Sequence, residues 1–409
     1  QILILLLNCV TAKLDRLQQS TENGLGLNLY VDGRFGSFST NRLDKKELET
    51  LITNGIESTR YLAVDESRML ADPARYYKGG KPDLQLFDKK LYEVNPDDKV
   101  AIARAAAEEV LGKDERIISV DSSYSDGEGS SYRLISNGFE GESKSTWFSV
   151  SASVSIKGEG EARPQDYWYD SALFYDKLTK TGIGAKALER VLRKLGQKKA
   201  KSGKYTMVVD PMNVGNLLSP MLSALYGSAL QQKNSFLMDK LDAKVASDLF
   251  TLRDEPHVIG ANGSRYFDNE GVATEPRTVF DKGVLKTYFI DTYNGKKMNM
   301  APTISTPSRL ILAPGDKDLN GLVADVKQGI LVTGFNGGNS NSSTGDFSYG
   351  IEGFLIEDGK LTQPVNEMNV TGNMVALWNS LVAVGNDPQP NRSWQIPSLV
   401  FEGVDFSGL

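Results

Sequence analysis

The amino-acid sequence predicts an α+β protein, in which an N-terminal α/β-mixed domain over residues 1–200 is followed by a mainly antiparallel β domain over residues 201–409. Three observations predict this architecture. The chain has 409 residues, more than the roughly 250–300 at which a single hydrophobic core stops growing. The first half mixes helical and strand-like apolar spacing, whereas short strand-like runs joined by Gly, Asn and Pro turns follow residue 248. A lysine-rich, glycine-broken segment, 197–204, separates the two halves.

The chain begins with a short apolar run, residues 2–7, which predicts a buried strand or the start of a helix. Six residues are far fewer than the roughly 20 that span a bilayer, so no membrane span is expected. The run lacks the basic segment that begins a signal peptide, which favours a cytoplasmic protein. A cleaved presequence stays open, because Gln1 is not an initiator methionine. The single cysteine, Cys9, excludes an intrachain disulfide and fits a reducing compartment.

A hairpin followed by a helix is predicted next. Apolar and polar residues alternate over residues 25–40 around Asp32-Gly33, a dipeptide typical of two-residue hairpin turns. Asp44 and Glu47 then stand in the N-cap and N3 positions of a capping box, and an apolar stripe at helical spacing follows them.

The remainder of the first half is predicted to contain two helices and several strands. Residues 97–111 and 186–195 have the apolar spacing of helices that bury one face. Short polar turns, such as residues 125–130, are predicted to separate the strands between these helices. The strand-like runs are residues 117–120, 132–135 and 147–156.

The second half is predicted to begin with a buried strand over residues 205–209, which Asp210-Pro211 ends. A helix with an apolar stripe over residues 217–225 follows. The chain beyond it is expected to form an antiparallel sheet or a barrel-like domain.

The sequence offers few residues for a catalytic metal site. Catalytic zinc takes three protein ligands, mainly His, Cys or carboxylate, and this chain has one histidine, His257, and one distant cysteine, Cys9. His257 stands near two acids but next to no nucleophile, so a turn histidine is favoured over a general base. Residues 121–128 carry serines at the third and fifth positions of a calcium loop, so a polar hairpin turn is favoured there. We therefore expect no catalytic residue, metal or cofactor in this chain.

Two glycine-rich segments raise the question of phosphate binding. Gly182-Ile183-Gly184 opens a helix, but Ala187 stands where the dinucleotide fingerprint requires glycine. Residues 334–346 lack the lysine of a Walker loop, and their composition is typical of a surface loop between strands. Loops of this length often carry function. The candidate substrate or partner contacts in it are Gly337, Gly338, Thr344, Gly345 and Asp346.

Basic residues are concentrated between residues 186 and 204. A nucleic-acid patch is one interpretation, and a solvated helix face continued by a linker is the other. The segment has no interleaved aromatic residues and the chain has a net charge of −6, so direct nucleic-acid binding is not expected. The cluster consists of Lys186, Arg190, Arg193, Lys194, Lys198, Lys199, Lys201 and Lys204.

Several co-linear motifs resemble those of the TldD/PmbA family in order and spacing. The likeness runs from about Gly24 to the C terminus, and it is looser in the N-terminal region, where Ser39-Thr40-Asn41 fits the family's first domain. The motifs lie at residues 266–271, 282–285, 344–348, 350–354, 356–360, 364–367, 372–373 and 384–387.

The resemblance distinguishes two branches. TldD-like members carry an H-E-x-x-x-H helix and bind a metal for peptide hydrolysis, whereas TldE/PmbA-like members lack this motif. The corresponding helix follows the strand at residues 205–209, and here residues 216–226 contain no histidine and no carboxylate. The cysteine that the metal-binding branch carries near its C terminus is missing from residues 391–395. The sequence therefore resembles the PmbA (TldE)-like branch.

This resemblance implies a non-catalytic subunit of a two-component metallopeptidase that processes or degrades peptides. The implied partner is a TldD-like subunit, with a peptide as the substrate of the complex, and a homodimer in the partner's absence stays open. One alternative is a self-sufficient hydrolase that uses carboxylates, and another is a nucleic-acid-associated regulator, because the family has also been named a modulator of DNA gyrase. The carboxylates considered are Asp268, Glu270, Glu352 and Asp346.

Overall fold

The computed structural model describes all 409 residues, which form an α+β fold with nine α-helices. The helices are α1 (Lys45–Thr59), α2 (Lys90–Glu93), α3 (Pro96–Glu108), α4 (Ile183–Leu192), α5 (Gly215–Ser223), α6 (Gly227–Gln231), α7 (Thr292–Met298), α8 (Leu319–Ala324) and α9 (Met374–Asn379). None of them combines the length and apolar character needed to cross a bilayer.

Eighteen strands form the rest of the regular structure. The first nine are β1 (Ile2–Val10), β2 (Lys13–Glu22), β3 (Leu25–Val31), β4 (Arg34–Thr40), β5 (Ile117–Ile135), β6 (Phe139–Ile156), β7 (Gln165–Ala172), β8 (Gly203–Val209) and β9 (Leu252–Asp254). The last nine are β10 (Arg277–Asp281), β11 (Val284–Leu285), β12 (Leu310–Leu312), β13 (Gln328–Ser340), β14 (Asp346–Glu357), β15 (Lys360–Asn373), β16 (Leu381–Val384), β17 (Trp394–Gln395) and β18 (Leu399–Ser407).

The first half contains a five-stranded antiparallel sheet in the order β2-β1-β5-β6-β7. Side chains of β6 alternate between buried and half-buried from Trp147 to Ile156, so one face of the sheet is apolar. Helices α3 and α4 cover this face, and their alanines and leucines join the strand residues in one core. The apolar run at the chain start is the strand β1, which supplies Leu7 and Cys9 to that core.

The predicted polar turn at residues 125–130 is wrong, because β5 runs without a break through this segment. Its polar side chains are buried and paired instead. Asp126 is 2.6 Å from the ammonium of Lys99 and accepts a hydrogen bond from the Tyr124 hydroxyl. Glu128 pairs with Lys144 at 3.3 Å. The two lysines lie on α3 and on the facing strand β6, and they offset the desolvation of carboxylates inside a sheet. Residues 121–128 are therefore neither a hairpin turn nor a calcium loop.

The predicted hairpin and helix cap near the N terminus are confirmed. Strands β3 and β4 pair in the expected register around Asp32 and Gly33, whose φ values of +51° and +73° fit a two-residue hairpin turn. Asp44 is the N-cap of α1, and its carboxylate accepts a hydrogen bond from the backbone N–H of Glu47. The hairpin and α1 pack against each other.

The second half is strand-rich and mainly antiparallel. A six-stranded sheet has the order β15-β14-β13-β8-β18-β16, and a five-stranded sheet has the order β11-β10-β9-β12-β17. Only the β8–β13 and β12–β17 pairs are parallel. The largest core lies here, around Phe250, Trp378 and Phe401, whose rings meet in tilted and edge-to-face contacts. Ala71, Tyr76 and Phe139 from the first half also join it, so the two halves share apolar contacts, and a domain boundary at residue 200 stays a prediction.

Candidate functional site

Helix α5 is positioned by the buried end of strand β8. Asp210, the first residue after the strand, accepts hydrogen bonds from the backbone N–H and side-chain amide of Asn213, at 3.0 and 2.7 Å. Burial raises the pKa of Asp210, against the lowering effect of these hydrogen bonds. The turn directs α5 onto the core, where Leu217, Leu218 and Met221 are fully buried. The helix predicted at residues 217–225 is thus present, two residues earlier in the chain.

The opposite face of α5 is polar and lines a cleft. Asn216, Ser219 and Ser223 are exposed along this face at helical spacing. The cleft, which we call the α5 cleft, has a volume of about 380 Å³. Its lining residues are Asn216, Ser219, Pro220, Ser223, Phe236, Ser340, Ser342 and Tyr349.

The wall facing α5 is the hairpin of β13 and β14, which contains the segment predicted to be a long loop. That prediction is wrong for most of its length, because β13 continues to Ser340 and β14 begins at Asp346. A bulge interrupts β13 between Phe335 and Gly338, and it contains Gly337. Glycine is favoured at both positions because Gly337 and Gly338 have φ values of +79° and +96°. A Cβ on Gly338 would also lie 2.1 Å from the carbonyl oxygen of Ser348.

Only residues 341–345 form the connecting turn, and side-chain amides hold it. The Asn341 side chain accepts hydrogen bonds from the backbone N–H groups of Ser343 and Thr344. The Asn373 amide donates to the carbonyl oxygen of Thr344 at 2.8 Å and to Asp346 at 3.0 Å. Hydrogen bonds from Asn373 and Thr344 hold the pKa of Asp346 below its usual value. Thr344, Gly345 and Asp346 therefore lie at the tip of the hairpin, with the Asp346 carboxylate already engaged.

The residues around α5 do not fit a catalytic zinc ion. Zinc takes His, Cys or carboxylate ligands, and the exposed face of α5 presents only amide and hydroxyl groups. No group of three or more His, Cys, Asp or Glu side chains anywhere in the chain is placed to hold a metal. His257 lies elsewhere, 3.0 Å from the hydroxyl of Thr274, and burial together with nearby Lys81 lowers its pKa. Cys9 is buried in the core of the first sheet.

The four carboxylates considered for hydrolysis do not form a single site. The Asp268 side chain is buried and accepts hydrogen bonds from backbone N–H groups, including those of Val272 and Ser305. Glu270 accepts from Thr292, and burial raises its pKa. Glu352 is ion-paired in β14, and Asp346 lies at the hairpin tip.

Most members of the basic cluster are exposed, which fits a solvated helix face continued by a linker, and six of the eight are ion-paired. Lys194 and Arg190 both contact Asp166, at 3.2 Å each, and their side chains are only 11% and 14% exposed. Other members pair with carboxylates along the same surface. These pairs are Lys186–Glu189, Arg193–Glu189, Lys194–Glu352, Lys199–Glu367 and Lys204–Asp405.

The helix start at Gly182 does face an anion, but the anion belongs to the chain. The backbone N–H groups of Gly182, Gly184 and Ala185 donate to the carboxylate of Glu109, at 2.6 to 3.2 Å. Since Glu109 follows α3, this contact joins the two helices that cover the first sheet.

The α5 cleft was not predicted from the sequence. The only sequence signal for the cleft is the apolar stripe of α5, which implies that the opposite face of the helix points outward. Phe236, 13 residues after the end of α5, and Tyr349, more than 100 residues after it, meet that face through tertiary contacts.

Comparisons with known proteins identify the family. The PmbA/TldA metallopeptidase C-terminal domain matches residues 202–408, and the PmbA/TldA metallopeptidase central domain matches residues 89–195. The metalloprotease PmbA homolog of Haemophilus influenzae is 28% identical over 407 residues, which are 98% of this chain and 89% of that protein. Metalloprotease PmbA of Escherichia coli O157:H7 is 26% identical over 97% of this chain and 88% of its own length.

Solved structures of similar proteins point to the same family. A crystal structure of a candidate modulator of DNA gyrase from Bacteroides thetaiotaomicron is 71% identical, with a TM-score of 0.98 over 100% of this chain and 93% of that chain. TldE from Thermococcus kodakarensis, at 20% identity, shares the fold with a TM-score of 0.84 over 100% of this chain and 95% of that chain. The chain therefore belongs to the PmbA/TldD family, in its PmbA (TldE)-like branch.

Proposed function

We propose that this chain is the non-catalytic subunit of a two-component metallopeptidase and that a TldD-like partner supplies the metal and its ligands. One observation carries the proposal: the outward face of α5 presents Asn216, Ser219 and Ser223, where the resemblance leads one to expect the metal-binding histidines. Neutral amide and hydroxyl groups of this kind bind peptide groups by hydrogen bonds, but they do not form a zinc site.

The role of this chain in the complex is to bind and orient the peptide. Strand β13 pairs with β8 only as far as Val332, so its second edge has no strand partner from Gly334 to Ser340. An extended peptide can pair with such a free edge through backbone hydrogen bonds. The α5 cleft lies beside this part of the hairpin, and its serines can accept or donate further hydrogen bonds. The tip residues Thr344, Gly345 and Asp346 would then contact the peptide's flank or the partner subunit.

The two alternative functions have less support. A carboxylate-based hydrolase needs two free acids at one site. Asp268 and Glu270 are neighbours, but both accept hydrogen bonds from within the chain. Glu352 and Asp346 lie elsewhere, each in contacts of its own. A nucleic-acid regulator needs free cations on one surface, whereas Lys194 and Arg190 are buried in ion pairs and the net charge is −6. A cytoplasmic location and a homodimer in the partner's absence belong to the main proposal.

The proposal is tested by assaying peptide hydrolysis and bound metal for this chain alone, for a TldD-like partner alone and for their mixture. We expect no stoichiometric metal and no hydrolysis with this chain alone, and chelator-sensitive hydrolysis that increases in the mixture. Ser219→Tyr fills the α5 cleft and should lower kcat/KM of the mixture without preventing complex formation. Ser58→Tyr, on the exposed face of α1, is the matched control. Chelator-resistant hydrolysis by this chain alone would overturn the proposal.

A further inference from the structure

A second and larger cavity, of about 490 Å³, lies apart from the α5 cleft and shares none of its lining residues. It forms where the β3–β4 hairpin and the loop that carries Arg68, after α1, meet helices α6 and α7. Tyr30 and Arg68 line it from the first half of the chain, and Gln231, Glu270 and Tyr293 from the second. This volume falls within the range of small-molecule sites, about 300–1,000 Å³.

The guanidinium of Arg68 lies over two aromatic rings. It lies 3.6 Å from the ring centre of Tyr293 and 4.7 Å from that of Phe35. The N–H groups of a guanidinium lie around the edge of its plane. These groups have no hydrogen-bond or ion-pair partner within the chain. A planar cation with a free edge is suited to a carboxylate, which it binds through two parallel hydrogen bonds.

Other contacts hold Arg68 in this place before any ligand arrives. The Tyr293 hydroxyl donates a hydrogen bond to Asp65 at 3.0 Å, and Lys297 lies 3.5 Å from the same carboxylate. The backbone N–H of Asp65 donates to the carbonyl oxygen of Gly33, and that of Arg68 donates to the carbonyl oxygen of Asp65. The turn that carries Arg68 is therefore joined both to the hairpin and to α7, which lowers the ordering cost of binding.

Two carboxylates, Glu270 and Asp291, line the same cavity. Both oxygens of Asp291 already accept hydrogen bonds from Asn294. Glu270 accepts hydrogen bonds from the backbone N–H and the hydroxyl of Thr292, both at 3.0 Å through one oxygen. Its other oxygen has only a 3.3 Å contact with the same N–H group. Burial raises the pKa of Glu270, and a cation at the second oxygen would offset this cost of burying the carboxylate. Gln231 and Gln232 add neutral donors and acceptors to the wall.

We propose that this cavity binds a short peptide by its two ends, with the terminal carboxylate on the edge of Arg68 and the terminal ammonium at Glu270. Each charged end would meet a group of opposite charge, and the side-chain amides would meet the peptide bonds between them. The inference does not rest on the non-catalytic role proposed above, because peptide binding at this cavity would need only this chain and no partner subunit. A failure here would leave the test on the two-subunit mixture unaffected.

The experiment is isothermal titration calorimetry of the full chain with trialanine, trialanine amide, N-acetyl-trialanine and inorganic phosphate. We expect trialanine to bind, and the amide and the N-acetyl peptide to bind roughly tenfold or more weakly, because each lacks one charged end. Arg68→Gln should weaken trialanine binding by a similar factor and remove the preference for the free carboxylate. Glu270→Gln should remove the preference for the free amine. Arg60→Gln, on an exposed arginine outside the cavity, should leave both preferences intact.

Three outcomes would overturn the inference. They are no binding of trialanine at millimolar concentration, equal affinity for the acid and the amide, and competition by phosphate as strong as that by trialanine. The comparison of acid with amide uses the unaltered protein, so the inference can be tested even where Arg68→Gln fails to fold. Arg68→Lys keeps the positive charge but loses the pair of parallel N–H donors of the guanidinium. It should therefore bind trialanine more weakly than the unaltered protein and more tightly than Arg68→Gln.

Discussion

The ammonium nitrogen of Lys194 lies 2.6 Å from Oε1 of Glu352 and thereby joins the segment after α4 to strand β14. The same ammonium is 3.2 Å from Asp166 in β7. One lysine therefore bridges carboxylates of the first and second halves of the chain. Arg193 adds a cation–π contact, 4.6 Å above the ring of Phe354. Lys194 and Arg193 therefore connect the two halves of the chain.

Replacing Lys194 should destabilise this connection. Lys194→Met leaves Glu352 without its cation and Asp166 with only Arg190, and both carboxylates are mostly buried. We expect the free energy of unfolding to fall by about 3 kcal/mol. Urea denaturation measures it, with Lys204→Met as the control. The Lys204–Asp405 pair is exposed, so its loss should cost at most about 0.5 kcal/mol. Equal effects of the two substitutions would contradict the bridging role.

The two glycines of the hairpin bulge should respond differently to alanine. Gly337→Ala places a Cβ in open space at positive φ and should cost about 1 kcal/mol. Gly338→Ala adds a clash with the Ser348 carbonyl oxygen and should cost about 3 kcal/mol or more. Hydrogen exchange across residues 335–349 and the free energy of unfolding measure the difference. Similar values for both variants would show that the bulge is not packed as described.

His257 should titrate below the value of a free histidine. In the folded chain, burial and the nearby charge of Lys81 lower the pKa of His257 below its ordinary value of 6.5. Between the lowered pKa and 6.5 the folded state binds fewer protons than the unfolded state, so stability rises with pH through this window. The stability present above pH 6.5 is lost as the pH falls from 6.5 through the folded pKa of His257. Since His257 is the only histidine, its imidazole signals in proton NMR give the pKa directly. A midpoint at or above 6.5 in the folded protein would contradict the prediction.

Local sequence signals predicted part of the fold. The Asp32-Gly33 turn and the Asp44 cap depend on residues within a few positions of each other, and both are present. Residues 125–130 were predicted as a turn because they are polar, and the pairing that allows Asp126 to be buried comes from Lys99 on another element. The residues 334–340 were predicted as a loop because of their glycines, which here form a bulge inside a strand.

The candidate sites were predicted less completely than the fold. The apolar stripe of α5 indicated which face is buried, but not that Phe236 and Tyr349 close a cleft on the other face. The Arg68 cavity gave no sequence signal, since its aromatic partners Phe35 and Tyr293 lie 33 positions before it and 225 positions after it. Sites of this kind depend on contacts between distant segments, which spacing along the chain does not report.

The most direct test of the central claim uses a mixture of this chain with a TldD-like partner whose H-E-x-x-x-H histidines are replaced by alanine. Rates of peptide hydrolysis are compared with those of the mixture that contains the intact partner, after gel filtration has shown that both mixtures form the complex. The account predicts that the altered complex has no metal-dependent hydrolysis, because α5 of this chain carries no metal ligands. Hydrolysis at the rate of the intact complex would place the catalytic groups in this chain and contradict the account.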